Sequence, residues 1–310
     1  MRHLVSILVF GAMLVATAAV PVGIDAQAAD GGRRLALGRI TEEPDRNIAR
    51  LNAMASYLAG ALAPDGIEAV DVTIAETPKK MAELLRKGEV DLFSETASTA
   101  IALIEAGLAE PLLREWKKGV PEYRSVIFVR TDGGIRSLTD LRGRKFAFED
   151  PGSTSGYLLP RVAMAAAGLS LEELANPRNN APADAVGYSF ANGEINVVAW
   201  VNRGLADAGA ISNLDWEDPE KSPERLRKDL TVIHETPPVI RSLMMVRSSL
   251  DAATKERLSE VLLQMHEHDE GLAAMKSYFG VSRYDAFDES ARANLESIGK
   301  FWRVAGVKIE

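Results

Sequence analysis

Two α/β lobes joined by two chain crossings is the architecture the sequence predicts. Three observations lead to it. From residue 34 onward, short apolar runs alternate with amphipathic helical patterns, as strands connected through helices do. Two breaks, Thr131-Asp132-Gly133-Gly134 and Pro237-Pro238, bracket a middle unit of the same alternating kind. The helical patterns after the second break then leave enough chain to return to the first unit. The expected division is a leader over 1–28, a first lobe from 29–130 plus 238–310, and a second lobe from 131–237.

Taken in order, Arg34–Ile40 reads as a strand and Asn47–Leu62 as an amphipathic helix, with Ile48, Leu51, Ala55, Leu58 and Leu62 on one face. Strands follow at Val70–Ala75 and Val90–Phe93, with helices at Lys79–Arg86 and Ser98–Glu105. The alternation implies mainly parallel sheets. Val126-Ile127-Phe128-Val129 is apolar on both sides, as a fully buried strand is. The middle unit continues with strands at Lys145–Phe148, Val186–Phe190, Ala208–Ile211 and Leu230–His234, and a helix at Glu194–Arg203. A strand at Leu243–Val246 and helices at Asp251–His266 and Glu289–Ala305 complete the chain.

Composition limits the function. The 310 residues are 46% hydrophobic and 26% charged, ordinary globular values. A net charge of −8 argues against nucleic acid or an anionic membrane surface as partner. Arg2-His3, the apolar stretch Leu4–Val20 and Ala26-Gln27-Ala28 have the layout of a cleaved secretory signal, which implies the periplasm. With no cysteine there is no disulfide, thiolate metal site or lipid attachment point. His266 and His268, two apart, do not share a helix face, so no metal or other cofactor is expected. Lys117-Lys118 and Arg142 with Arg144 read as surface charge.

The most informative segment is Phe148-Glu149-Asp150-Pro151-Gly152-Ser153-Thr154-Ser155-Gly156-Tyr157. It reads as a strand end, a turn, three hydroxyl residues and a helix start. Backbone N–H groups and hydroxyls gathered at one helix start suit an anion. The plainer alternative is an ordinary N-cap. The segment also approaches the G-x-S-x-G elbow of serine hydrolases, but its central residue is Thr154, and His234, His266 and His268 form no triad pattern. The chain is therefore not read as an enzyme.

Five blocks in order resemble the periplasmic phosphonate/phosphate substrate-binding family of ABC importers, type II periplasmic binding proteins. They are Gly88–Glu95, Glu122–Arg130, Gly134–Arg144, Phe148–Tyr157 with Pro160, and Gly204–Ala210. The resemblance implies a clamshell with two hinge crossings. It would capture a small oxyanion such as phosphonate, phosphate or phosphite and present it, as a monomer, to a membrane permease. It implies that Ser153, Thr154 and Ser155 bind ligand oxygens from the second lobe, that Glu95 and Thr96 face the cleft from the first, and that Thr41 and Glu42 lie on the rim. Tyr157 is a further candidate for stacking on or hydrogen-bonding the ligand. One position departs from the family. Phosphonate binders often have a histidine where this chain has Glu194, and a carboxylate there repels a phosphonate. Either Glu194 and Glu95 grip an amine on a zwitterionic ligand, or the ligand bears no phosphorus. A sensory subunit signalling to a membrane kinase is the alternative role for the same clamshell.

Overall fold

Strand and helix signals resolve into 14 strands and ten α-helices in a computed structural model that describes residues 32–305. The expected leader over 1–28 lies outside the described residues. Strand β1 (Arg33–Ile40) buries Leu35, Leu37 and Gly38. Helix α1 (Pro44–Leu62) starts with proline at its first position and seats Leu51, Met54, Ala55, Leu58 and Leu62 on the sheet. Strand β2 (Ile67–Ala75) precedes α2 (Pro78–Lys87), whose Thr77 side chain caps the Lys80 N–H and whose Gly88 closes it at φ 72°. Then come β3 (Leu92–Glu95), α3 (Ala97–Glu105), β4 (Ala109–Lys117), and β5 (Glu122–Tyr123). Residues 97–103 of α3 are all buried, because apolar neighbours surround the helix.

The second lobe is built from β6 (Ser125–Arg130), β7 (Lys145–Phe148), α4 (Leu159–Ala166), β8 (Leu171–Glu173), β9 (Val186–Phe190), α5 (Glu194–Asn202), β10 (Ala208–Ser212), α6 (Asn213–Trp216), α7 (Glu224–Arg227) and β11 (Leu230–Glu235). The chain returns through β12 (Val239–Ile240), β13 (Ser242–Arg247), α8 (Ala252–Gln264), α9 (Asp269–Ser277), β14 (Val281–Ala286) and α10 (Glu289–Ala305). Among the described residues no helix is long and apolar enough to cross a membrane.

The strands form two six-stranded sheets, β14-β4-β13-β3-β1-β2 and β11-β6-β10-β7-β9-β8. Both are mixed, contrary to the expectation of mainly parallel sheets. In the first, β1 pairs in parallel with β2 and β3, but β13, β4 and β14 run antiparallel. The cause is the return of the chain from the second lobe, which brings β13 in from the opposite direction. In the second, β7 pairs in parallel with β9 and β10, and β6 antiparallel with β10 and β11.

The first crossing also differs from the expected 131–134. Strand β6 belongs to the second sheet, held between β10 and β11, so the chain has already crossed before Ser125. Its apolar side chains are buried on both faces, which a central strand requires. Thr131–Gly134 is the turn at its far end, with the Thr131 N–H on the Asp229 carbonyl. The crossings β5 and β12 pair with each other antiparallel, Val239 opposite Tyr123 and Ile240 opposite Glu122. The Arg241 N–H donates to the Pro121 carbonyl beside them.

One hydrophobic core runs through both lobes. It links Phe93, Ala100 and Ile101 to Phe146, Phe148 and Met164 by way of Tyr123, Ile240, Leu295 and Ile298. Helix α10 packs on α3, α4 and β12, and Asn294 accepts the Ile240 N–H. Separate cores fill the outer faces, under α1 and α8 in one lobe and under α5 in the other.

Candidate functional site

Parallel strands within a sheet leave their carboxyl ends at one edge, and those edges of the two sheets meet, so β1 and β3 of the first sheet and β7 of the second deliver the residues after them to one region. There the structure encloses a cleft of about 1010 Å³. Its lining takes in Thr41 and Glu42 after β1, Glu95 and Thr96 after β3, Ser153, Thr154 and Ser155 after β7, and Glu194 at the start of α5. Eight of the nine residues singled out in the sequence are thus brought together. Tyr157 is not among them. It is buried in the second lobe, its ring 5.0 Å from Phe148 and 5.1 Å from Phe190, and its hydroxyl accepts from Arg161. The helical register after Ser155 turns Tyr157 inward, where an aromatic side chain buries the most area.

The Ser-Thr-Ser turn is wound more widely than an α-helix. The Leu158 and Leu159 N–H groups donate to the Ser153 and Thr154 carbonyls, each five residues back, and α4 continues from there. Such turns are rare and concentrate at functional sites. Its hydroxyls are partly committed. Ser153 Oγ accepts the Gly156 N–H at 2.9 Å and donates to Glu149 Oε2 at 2.7 Å. Thr154 Oγ1 accepts the Ser98 N–H of α3 at 2.9 Å, which ties the two lobes together. Gly156 is needed here because a Cβ would sit 2.4 Å from the Glu149 carboxylate.

Carboxylates dominate the second-lobe wall. Glu149, Asp150, Glu194 and Asp215 all line the cleft. Glu149 is pushed up to about 8, first by burial and then by the charges of Glu194 and Asp150. Asp150 is raised by burial and by the charges of Glu194 and Glu42. Glu95, opposite, is raised by burial against the pull of Arg39, with Asp150 adding to the rise. Glu194 keeps one partner, Lys221 Nζ at 3.0 Å. Among the described residues no cluster of three or more acidic or histidine side chains is arranged to hold a metal ion.

Three cations line the first-lobe and hinge side: Arg39 at the end of β1, Lys117 at the end of β4, and Arg241 between β12 and β13. None stood out in the sequence. Lys117, read there as surface charge, is only 12% exposed at its side chain and pairs with the fully buried Glu115 at 3.1 Å. The local pattern misleads because β4 carries Glu115 at an inward position, which interrupts the apolar alternation. Tyr123 of β5 also reaches the cleft. Burial pushes its hydroxyl up to about 12, with Arg241 and the hydroxyls of Thr154 and Ser155 acting the other way.

The family profile "ABC transporter, phosphonate, periplasmic substrate-binding protein" matches residues 40–291, which includes every cleft residue named above except Arg39. The chain belongs to the periplasmic phosphonate-binding family of ABC transporters. Its members are periplasmic substrate-binding components of such transporters. A probable phosphite-binding protein, PhnD1 of Prochlorococcus marinus, is 24% identical over 190 residues, 58% of this chain and 61% of that protein. The phosphate-import protein PhnD of Mycolicibacterium smegmatis is 30% identical over 171 residues, 54% of this chain and 52% of that one. The chain thus spans between half and two thirds of these two curated relatives. XAC2383 of Xanthomonas citri, solved with chloride and with ATP, matches more fully. Its chloride structure is 32% identical, with a TM-score of 0.86 over 88% of this chain and 98% of the other. Two-lobed type II binding proteins share the fold, PhnD1 with a TM-score of 0.65 at 20% identity.

Proposed function

We propose that this phosphonate-family protein captures a phosphorus oxyanion that also carries a cationic group, an aminoalkylphosphonate being the simplest member, and hands it to the permease. One observation supports the reading most strongly. The cleft has cations on one side, Arg39, Lys117 and Arg241, and carboxylates on the other, Glu149, Asp150 and Glu194. A bare oxyanion satisfies the first and is repelled by the second, whereas a dipolar ligand satisfies both. Glu194, in the position where family members often have histidine, then faces the amine end.

A second reading, a larger phosphorus ligand, draws support from the cleft's volume and from XAC2383, which was solved with ATP. Pockets for drug-sized ligands run to about 1,000 Å³. A thermal-shift panel separates these readings, because a ligand that binds the native state alone raises the melting temperature. With 2-aminoethylphosphonate, methylphosphonate, phosphate, phosphite and ATP, the largest shift is expected from 2-aminoethylphosphonate. A shift with ATP alone favours the larger ligand. No shift with any of them removes phosphorus oxyanions as the ligand class.

A further inference from the structure

An arginine taken out of water is normally paired with a carboxylate. Among the described residues neither Arg39 nor Arg241 has an acidic group within ion-pair distance, although both are half-buried. The Nε of each is buried with no hydrogen-bond partner. Aromatic rings hold both in place, and the Arg39 guanidinium also donates to the Ser94 carbonyl at 3.2 Å. The Arg39 guanidinium lies 4.3 Å from the Phe279 ring centroid and that of Arg241 5.2 Å from Tyr123. Lys117 Nζ is 6.0 Å from the same Phe279 ring. Phe279 itself is fixed by an unusual backbone, φ 55°, a conformation that a bulky residue keeps only when its surroundings enforce it.

Behind this trio stands one buried anion. Glu115 Oε2 accepts from the hydroxyls of Ser94 and Ser242, each at 2.6 Å, and Glu115 pairs with Lys117. Glu95 nearby is pushed toward its neutral form by burial. Lys117 is lowered by burial and by the like charges of Arg39 and Arg241, although Glu115 acts the other way. Three basic side chains against the one carboxylate of Glu115 leave this side of the cleft with a surplus of positive charge, which grows as burial favours the neutral form of Glu95.

We propose that Arg39, Lys117 and Arg241 form an anion seat on the first-lobe and hinge side of the cleft, matched to a dianionic tetrahedral group and discriminating against a monoanionic one of the same shape. The seat rests on the reading that the cleft takes a phosphorus oxyanion. Tyr123, whose ring meets Arg241, lines the same cleft as Thr154 and Ser155 of the Ser-Thr-Ser turn. The turn supplies neutral donors and the seat supplies charge, so the seat sets the preference for charge state. Methylphosphonate, a dianion above its second ionisation, fits; methanesulfonate, a monoanion of nearly the same outline, leaves a buried charge unbalanced.

Titration calorimetry tests this on the full chain with methylphosphonate and methanesulfonate at about pH 8, for wild type, Lys117→Met, Arg241→Met and Arg241→Lys. The expected result is methylphosphonate binding that exceeds methanesulfonate binding by at least about 10-fold in wild type, the worth of one charge-assisted contact. Lys117→Met and Arg241→Met each weaken methylphosphonate by about 10- to 100-fold and shrink the preference, and Arg241→Lys keeps part of it. Melting curves without ligand show whether each variant is folded. Equal wild-type binding of the two anions, or undiminished methylphosphonate binding by folded Met variants, overturns the seat and leaves the phosphorus-ligand reading standing. Failure of wild type to bind methylphosphonate, phosphate and 2-aminoethylphosphonate alike overturns both.

Discussion

Glu149 is where a single residue weighs most on the behaviour of the cleft. Burial, and after it the charges of Glu194 and Asp150, favour its neutral form up to about 8 against 4.5 for the ordinary group, although the hydrogen bond from the Ser153 hydroxyl acts the other way. The native state therefore binds this proton more tightly than the unfolded chain. The resulting stability is full below about pH 4.5 and is lost as pH rises through about 8. Glu149→Gln mimics the protonated form. Its melting temperature is expected to exceed that of wild type at about pH 8.5, with the gap closing toward about pH 5. Parallel pH profiles for the two proteins would place the proton elsewhere.

At the scale of elements, the contact between α3 and the Ser-Thr-Ser turn matters most. The Ser98 N–H is one of the free donors of a helix start, and Thr154 Oγ1 is its partner in a buried setting. Thr154→Val keeps the shape and removes the acceptor. Leaving that donor unpaired is expected to cost about 1–3 kcal/mol, read as a lower midpoint in urea with an unchanged slope. A change inside about 0.5 kcal/mol would show that the N–H finds another partner. The same elements show what the sequence reveals. Strands β1, β3, β7 and β10 are legible because each carries a short apolar run beside turn or helix signals, and Glu95 and the Ser-Thr-Ser turn, at the ends of β3 and β7, line the cleft. Strand β4 was not legible, since its inward Glu115 and Pro111 resemble a loop. With β4 went Lys117. Arg39 and Arg241 were hidden for a different reason: their roles depend on Phe279 and Tyr123, which lie 240 and 118 positions away. The first crossing was misplaced because a run apolar on both faces does not say which sheet will surround it.

In the whole molecule, a continuous core and helix α10 bind the lobes together, while β5 and β12 form a paired ribbon between them. Motion in such a frame concentrates at the few residues joining the ribbon to each sheet, and the lobes part on the cleft side. Helix α10 also brings Trp302 to the cleft, its indole N–H buried and without a partner. The other three indoles are engaged elsewhere: the Trp116 N–H donates to Asp285, Trp216 lies 4.8 Å from Phe128, and Trp200 packs on the core under α5. The protein thus has an intrinsic optical probe at its mouth. Exciting tryptophan while titrating 2-aminoethylphosphonate is expected to shift or quench the emission, and Trp302→Phe to abolish that response while binding persists by calorimetry. An unchanged response in the variant would assign the signal to another indole. A successful one would let closure be timed by stopped-flow fluorescence on unlabelled protein.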